Sequence, residues 1–366
     1  MLIFIIPLVL FIADCRSKIN TAPPGAASAS WKPVGATDFS PGQANYESLF
    51  VYNGTPYAAY EDCSNNGRAA VMEYSNNTWT SVGNTGFSAG TVNFTSLYID
   101  NATGTPYVAY EDIANGSRAT VMSYTGAGWA AVGNPGFSAG GTEYESLCVY
   151  NGAPFVAYQD GGNGNRATVM TYTGVSWTAV GSAGFSAGGV SSNVPLYIYN
   201  GIPFVAYQDG ANGDRATVMT YTGVSWTAVG IPGFSAGIVF NIALSVSNGT
   251  PYVAYEDYAN GSKTTVMVFN GSTWQPVGME GFSAGSVNYT ALYVYNGTPY
   301  AAYQDNGNGG RATVSKYNGS TWLPVGTAGF SVNAAIFLSV FVYDGTPYAA
   351  YQDYAATYKA TVTEYK

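Results

Sequence analysis

Sixteen residues, Arg166-Ala-Thr-Val-Met-Thr-Tyr-Thr-Gly-Val-Ser-Trp-Thr-Ala-Val-Gly181, recur letter for letter from Arg215 to Gly230. Looser copies fill most of the chain, and the seven tryptophans mark them: Trp31, Trp79, Trp129, Trp177, Trp226, Trp274 and Trp322, spaced 48, 50, 48, 49, 48 and 48 residues apart. A period of that size without helical patterning belongs to arrays whose units cannot bury a core alone. The repeat therefore overrides the two or three domains that 366 residues would otherwise suggest.

One unit reads as four short strands. Tyr144 to Tyr150 is strand a, Pro154 to Asp160 strand b, Arg166 to Tyr172 strand c and Trp177 to Gly181 strand d. β-Branched and aromatic runs separated by Asn-Gly, glycine-rich and Thr-Gly connections are hairpin signals. Poor alternation within the runs implies strands buried on both faces, as in stacked sheets. Six complete units end at Gly83, Gly133, Gly181, Gly230, Gly278 and Gly326, and a seventh stops after its strand c. Its missing Trp strand stands at the other end of the chain, at Trp31 to Gly35. Closing that gap makes an all-β, seven-bladed β-propeller over residues 31–366, and a closed ring leaves no end surface to cap.

The units Trp-x-x-Val-Gly, Gly-Phe-Ser-Ala-Gly and Arg-Ala-Thr-Val-Met resemble Trp-anchored propeller repeats of exported bacterial proteins, a resemblance that implies the fold and little about activity. The chain lacks the signatures of tryptophan–aspartate and kelch repeats. It also lacks the aspartate box of sialidases, because Tyr317 begins the nearest match, Tyr317-Asn-Gly-Ser-Thr-Trp322.

Composition removes several chemistries. Histidine is absent, which excludes Ser/His and Cys/His nucleophile systems and His-ligated zinc. Twelve Lys and Arg in a chain of net charge −9 argue against nucleic acid as a partner. Three cysteines make no disulfide framework; Cys148 falls in a strand and Cys63 in a loop. The apolar run from Met1 to Ala13 is too short to span a bilayer, which needs roughly 20 residues. Residues 1–15 read as a signal, either simply cleaved or lipidated at Cys15, and 16–30 as a tether. The chain is thus expected to be secreted or held at the cell surface, to meet a membrane only through a lipid anchor, and to be a monomer.

Each unit carries an Asp at the end of strand b and a base six residues later. The pairs are Asp62/Arg68, Asp112/Arg118, Asp160/Arg166, Asp209/Arg215, Asp257/Lys263, Asp305/Arg311 and Asp353/Lys359. They are expected to be ion pairs that staple the b–c hairpin. Glu61, Glu111, Gln159, Gln208, Glu256, Gln304 and Gln352 precede the aspartates, and these fourteen positions are the candidate ligand-binding residues. Neighbours along a strand face opposite ways, so Glu61 and Asp62 cannot act together on one bond. No catalytic or metal site is therefore assigned. No cofactor is expected, with calcium a candidate only because loops such as Asp209 to Asp214 offer oxygens without EF-hand spacing. The Phe of Gly-Phe-Ser-Ala-Gly reads as a plug between blades.

The b–c and d–a loops share one face of the ring, and a binding surface is expected there. The expected partner is a glycan or a cell-surface protein, bound without catalysis and multivalently through equivalent blades. The alternatives are a purely structural scaffold and a polysaccharide hydrolase. The hydrolase would need an inward pair of acids, and the visible breaks in the repeat, Phe240 to Ala243 and Ile336 to Ser339, supply none.

Overall fold

A computed structural model describes residues 29–354 and 358–366. The signal, the lipidation candidate Cys15 and the tether up to residue 28 lie outside the described residues. Seven separate four-stranded antiparallel sheets follow one another around an axis, each ordered a-b-c-d from the axis outward. Blade three shows the unit: strand a is Thr142–Tyr150, b is Ala153–Asp160, c is Arg166–Tyr172 and d is Trp177–Ala179. A single 3-10 turn, Gly161–Asn163, is the only helical piece between b and c.

The ring closes as the tryptophan count requires. The strand Trp31–Pro33 pairs with Lys359–Tyr365, setting Trp31 opposite Tyr365, and becomes strand d of the seventh blade. Every tryptophan then does the same thing. Trp226 donates its indole N–H to Val180 O of the preceding blade at 2.7 Å and stacks on Phe185, with ring centroids 4.0 Å apart. Trp31 repeats both contacts across the seam, bonding Val325 O at 2.7 Å and stacking on Phe330 at 4.2 Å. The Phe of Gly-Phe-Ser-Ala-Gly is thus an inter-blade plug.

The core lies between the sheets. One apolar cluster joins Ala206 and Val218 of the fourth blade to Val239, Leu244 and Val253 of the fifth. Burial on both faces accounts for the weak alternation in the strands. Strand d ends in Val-Gly for steric reasons: Gly181 has φ +71°, and a Cβ there would stand 2.7 Å from the Tyr221 ring. Such a glycine satisfies backbone and packing at once.

Strand a is irregular in six blades, where the register shifts by a β-bulge; in the first blade the shift falls between Asn45 and Ser48. The extra residue takes positive φ even where it is bulky: Tyr46 57°, Phe94 51°, Tyr144 62°, Tyr289 51° and Phe337 53°. Aromatic residues rarely adopt that region, and it is strained. The fourth blade departs further: Val190 bridges to Asp209, Pro195 interrupts the strand, and regular pairing starts only at Leu196.

Candidate functional site

The repeated aspartates are structural, by a different means from the one expected. Asp209 is 1% exposed and takes three donors: Thr217 Oγ1 at 2.8 Å, Asn212 Nδ2 at 2.9 Å and the Ala211 N–H at 3.1 Å. Thr217 Oγ1 in turn accepts the Gly233 N–H at 2.8 Å, which ties the d–a loop to the b–c loop. The same Thr and Asn partners hold Asp112, Asp160, Asp257 and Asp305. In the first blade Ala70 replaces the Thr, and Ser64 caps Asp62 through both N–H and hydroxyl.

The ion-pair expectation is corrected in six blades. Among the described residues, none of these six carboxylates has a base within ion-pair distance. The expected pairs Asp62/Arg68, Asp112/Arg118, Asp160/Arg166, Asp209/Arg215, Asp257/Lys263 and Asp305/Arg311 are therefore not formed. Arg118, Arg166, Arg215 and Arg311 are exposed. Arg68 and Lys263 are half-buried, yet contrary to expectation neither forms an ion pair with Asp62 or Asp257. The reason is common to all six: a carboxylate turned inward is better served by short neutral donors from its own loop than by a solvated cation on a long stem. In the seventh blade Asp353 accepts from Asn333 Nδ2 at 2.9 Å.

The Glu/Gln positions bond the start of strand a. Glu61 accepts from Asn45 at 2.9 Å, Glu111 from Asn93 at 2.8 Å, Glu256 from Asn241 at 3.1 Å and Gln304 from Asn288 at 2.9 Å. Gln159 and Gln352 donate to Val190 O and Ala44 O of the following blades. Gln208 is buried with its Oε1 unpartnered. Of the fourteen candidates, Glu256 also lines a cleft, with Tyr144, Asn193, Asn241 and Asn288. Cys63 and Cys148 are free thiols, the first exposed and the second buried.

That cleft adjoins a cavity on the axis, about 320 Å³, at the end of the channel where the a strands begin; a wider one of about 770 Å³, lined by Phe50, Tyr98, Cys148, Tyr197 and Phe341, opens at the other end. The end where the a strands begin is the long-loop face, since Ala44 at the start of strand a lies opposite Asp62. The bulges make the site. Five of the six deliver two consecutive residues to the cavity, Tyr46 with Glu47, Phe94 with Thr95, Tyr144 with Glu145, Tyr289 with Thr290 and Phe337 with Leu338, and the fifth blade's delivers Asn241.

Five rings form a continuous arc around the mouth. Tyr289 meets Phe337 at 5.2 Å, Phe337 meets Tyr46 at 5.0 Å, Tyr46 meets Phe94 at 4.9 Å and Phe94 meets Tyr144 at 4.8 Å. The fourth and fifth blades open the arc with Asn193 and Asn241. Below the rings come Glu47, Thr95, Glu145, Val194, Ile242, Thr290 and Leu338, one from each blade. Thr95 Oγ1 bonds Tyr46 O at 2.5 Å, and Thr142 Oγ1 donates to Glu145 Oε1. Burial raises Glu47 well above the usual carboxylate range and Glu145 to about 8.

Sequence reasoning missed Glu47 and Glu145 and with them the inward acids that it found lacking. The signal was present: at one position of an otherwise uniform repeat, seven blades carry Glu, Thr, Glu, Val, Ile, Thr and Leu. No group of three metal-ligating acidic or thiol side chains occurs among the described residues.

No family model and no curated protein sequence matches the chain. Solved structures do. A Trypanosoma rangeli sialidase in complex with sialic acid aligns at TM-score 0.51 and 12% identity over 93% of this chain, which spans 59% of that protein's length. Aleuria aurantia lectin in complex with Fucα1-6GlcNAc aligns at 0.51 and 17% identity, covering 80% of this chain and 97% of the lectin. Polysaccharide lyase Uly1 aligns at 0.54 and 12% identity, over 89% of this chain and 90% of the lyase. At such identities the likeness is one of fold. The chain is a seven-bladed propeller whose structural neighbours include glycan-binding and glycan-cleaving proteins.

Proposed function

We propose that this propeller binds a glycan without transforming it, through the axial pocket on its long-loop face. The arc of five part-exposed rings carries the reading. Aromatic faces offer area to the C–H faces of a sugar ring, while Asn193 and Asn241 can bond its hydroxyls. A cavity of about 320 Å³ lies at the lower end of ligand-pocket sizes, roughly 300–1,000 Å³. The strained φ values support it, because strain of this kind concentrates at ligand sites. The expected setting is secreted or cell-surface, following the apolar leader.

The repeated aspartates are committed internally, so one site per ring replaces equivalent sites on the blades. A glycan-array screen of the full chain, with and without calcium, followed by titration of any hit, tests this. A stoichiometry near one, with loss of binding in Tyr144→Ala and Phe94→Ala, supports the axial site. Binding that survives both changes sinks it.

Glu47 and Glu145 favour one further reading, a glycosidase or lyase. Such enzymes set two groups apart, one protonated and one ionised. Here burial pushes both carboxyls the same way. Release of reducing ends or unsaturated products from the bound glycan would replace the binding role by an enzymatic one.

A further inference from the structure

The axial cavity continues sideways. The neighbouring cleft, about 330 Å³, shares Tyr144, Asn193 and Asn241 with it and adds Phe240, Glu256 and Asn288. It lies at the gap in the aromatic arc, where the fourth and fifth blades bring Asn193 and Asn241 in place of rings. The gap has a local cause. Strand a of the fourth blade pairs regularly only from Leu196, so the bulge that carries a ring elsewhere is missing there.

Phe240 is the cleft residue that blade folding does not account for. Five blades carry a polar side chain at its position, Asn45, Asn93, Glu143, Ser191 and Asn288, and the seventh carries Ile336. Asn45, Asn93 and Asn288 bond the Glu or Gln across the hairpin. In the fifth blade that bond passes to the next residue, Asn241, which reaches Glu256 at 3.1 Å. Phe240 is left 39% exposed without a ring partner, whereas every other described phenylalanine is half-buried or buried. A lone exposed apolar side chain on a convex surface is ordinary. This one stands in a concave wall beside three amides. Asn193 makes no hydrogen bond in the fold, and Asn241 and Asn288 commit only Nδ2, which leaves each Oδ1 open.

A ring face beside open amides suits a pyranose, whose C–H face packs on the ring while its hydroxyls bond the amides. We propose that the cleft is a second sugar subsite, with Phe240 as its platform and Asn193, Asn241 and Asn288 as its hydroxyl partners. The ligand is then an oligosaccharide of at least two residues, its terminal sugar on the axis and the next over Phe240. This rests on the glycan reading above and specifies the length and direction of its ligand. Five rings close the arc on the other side, so the chain leaves between the fourth and fifth blades. The axial cavity shares no lining residue with the wider one at the far end, so the sugar chain ends on the axis and does not thread the ring.

An array of glucose, galactose, mannose, fucose and N-acetylglucosamine, each as mono- and disaccharide, identifies the series that the full chain binds. Calorimetric titration with the free sugars of that series then reads the affinities. The disaccharide is expected to bind at least about tenfold tighter than the monosaccharide. Phe240→Ala should reduce that difference to about threefold or less with monosaccharide affinity unchanged, and Phe240→Tyr, which keeps a ring, should restore it. Phe94→Ala, at a ring that lines the axial cavity and not the cleft, should weaken both sugars alike. Melting curves beside the parent chain guard against misfolding. Equal affinities, or a disaccharide gain that survives Phe240→Ala, overturn the second subsite and leave the glycan reading standing. Loss of monosaccharide binding in Phe240→Ala overturns the division into two subsites. Binding of none of the ten sugars overturns both proposals.

Discussion

The outer b–c loops and the inner ends of the a strands answer opposite demands. In the loops, an Asp is repeated in all seven blades, and the Thr and Asn that satisfy it recur in five. On the axis, the same structural position is filled by seven side chains of five kinds. In the loops those carboxylates receive Thr and Asn donors from their own blades, although Asp112 Oδ1 and Asp257 Oδ1 keep no partner. On the axis the shortfall is greater, because both oxygens of Glu47, Oε2 of Glu145 and Oγ1 of Thr290 are unpartnered. In a repeat protein, uniformity marks what a blade needs for itself, and a break in uniformity at an inward position marks what the ring offers to something else.

Four changes test that contrast. The largest effect should come from deleting residues 31–35, which removes the seventh Trp-Phe stack and its indole bond. Loss of a fully buried Trp costs about 3–5 kcal/mol; Trp31 is half-buried and forfeits less, and the lost strand adds to it. A calorimetric melting curve that stays in place would refute the closure.

The second concerns pH. The unfolded chain ionises Glu145 near 4.5, whereas the fold holds it protonated up to about 8. Its stabilising effect is thus fully present below pH 4.5 and is lost as pH climbs to 8, by at most about 5 kcal/mol. In Glu145→Gln, urea midpoints between pH 4.5 and 8 should flatten, and an unchanged slope would put the titration elsewhere.

Third, Asp209→Ala strands Thr217, Asn212 and the Ala211 N–H and should cost about 3 kcal/mol by urea unfolding. Its glycan affinity should stay at the parent value, and a loss of binding without loss of stability would make the loop a ligand site. Smallest of all, Arg215→Ala should change stability by under about 0.5 kcal/mol, since the side chain is exposed. If Arg215→Ala and Asp209→Ala cost the same, the two do act as a pair.

The architecture was legible because a blade is a local object: turn residues, strand runs and the displaced Trp31 strand all show in the order of letters. The aspartates were legible as important, but their chemistry was misread. Spacing of six places Asp and Arg opposite each other across the b–c hairpin, as the register confirms, yet facing backbones do not decide which side chain turns inward. Thr217, two residues past the base, decides it. The axial site was hidden by the bulge. Strict alternation sends Tyr46 and Glu47 to opposite faces, and only the extra residue brings both to the cavity.

The seam closed by Trp31 is equal to the other six in contacts but differs from them in chain entropy. Trp226 and Val180 are joined by 46 residues of chain, whereas Trp31 and Val325 are 294 apart. Closing the longer loop costs about 1.6 kcal/mol more, growing only with the logarithm of length. Seven identical clasps therefore leave a single weakest link, and breathing of the ring should begin there. Hydrogen exchange at the Trp31 indole should outpace that of its six counterparts, giving a molecule of near seven-fold symmetry one preferred place to open.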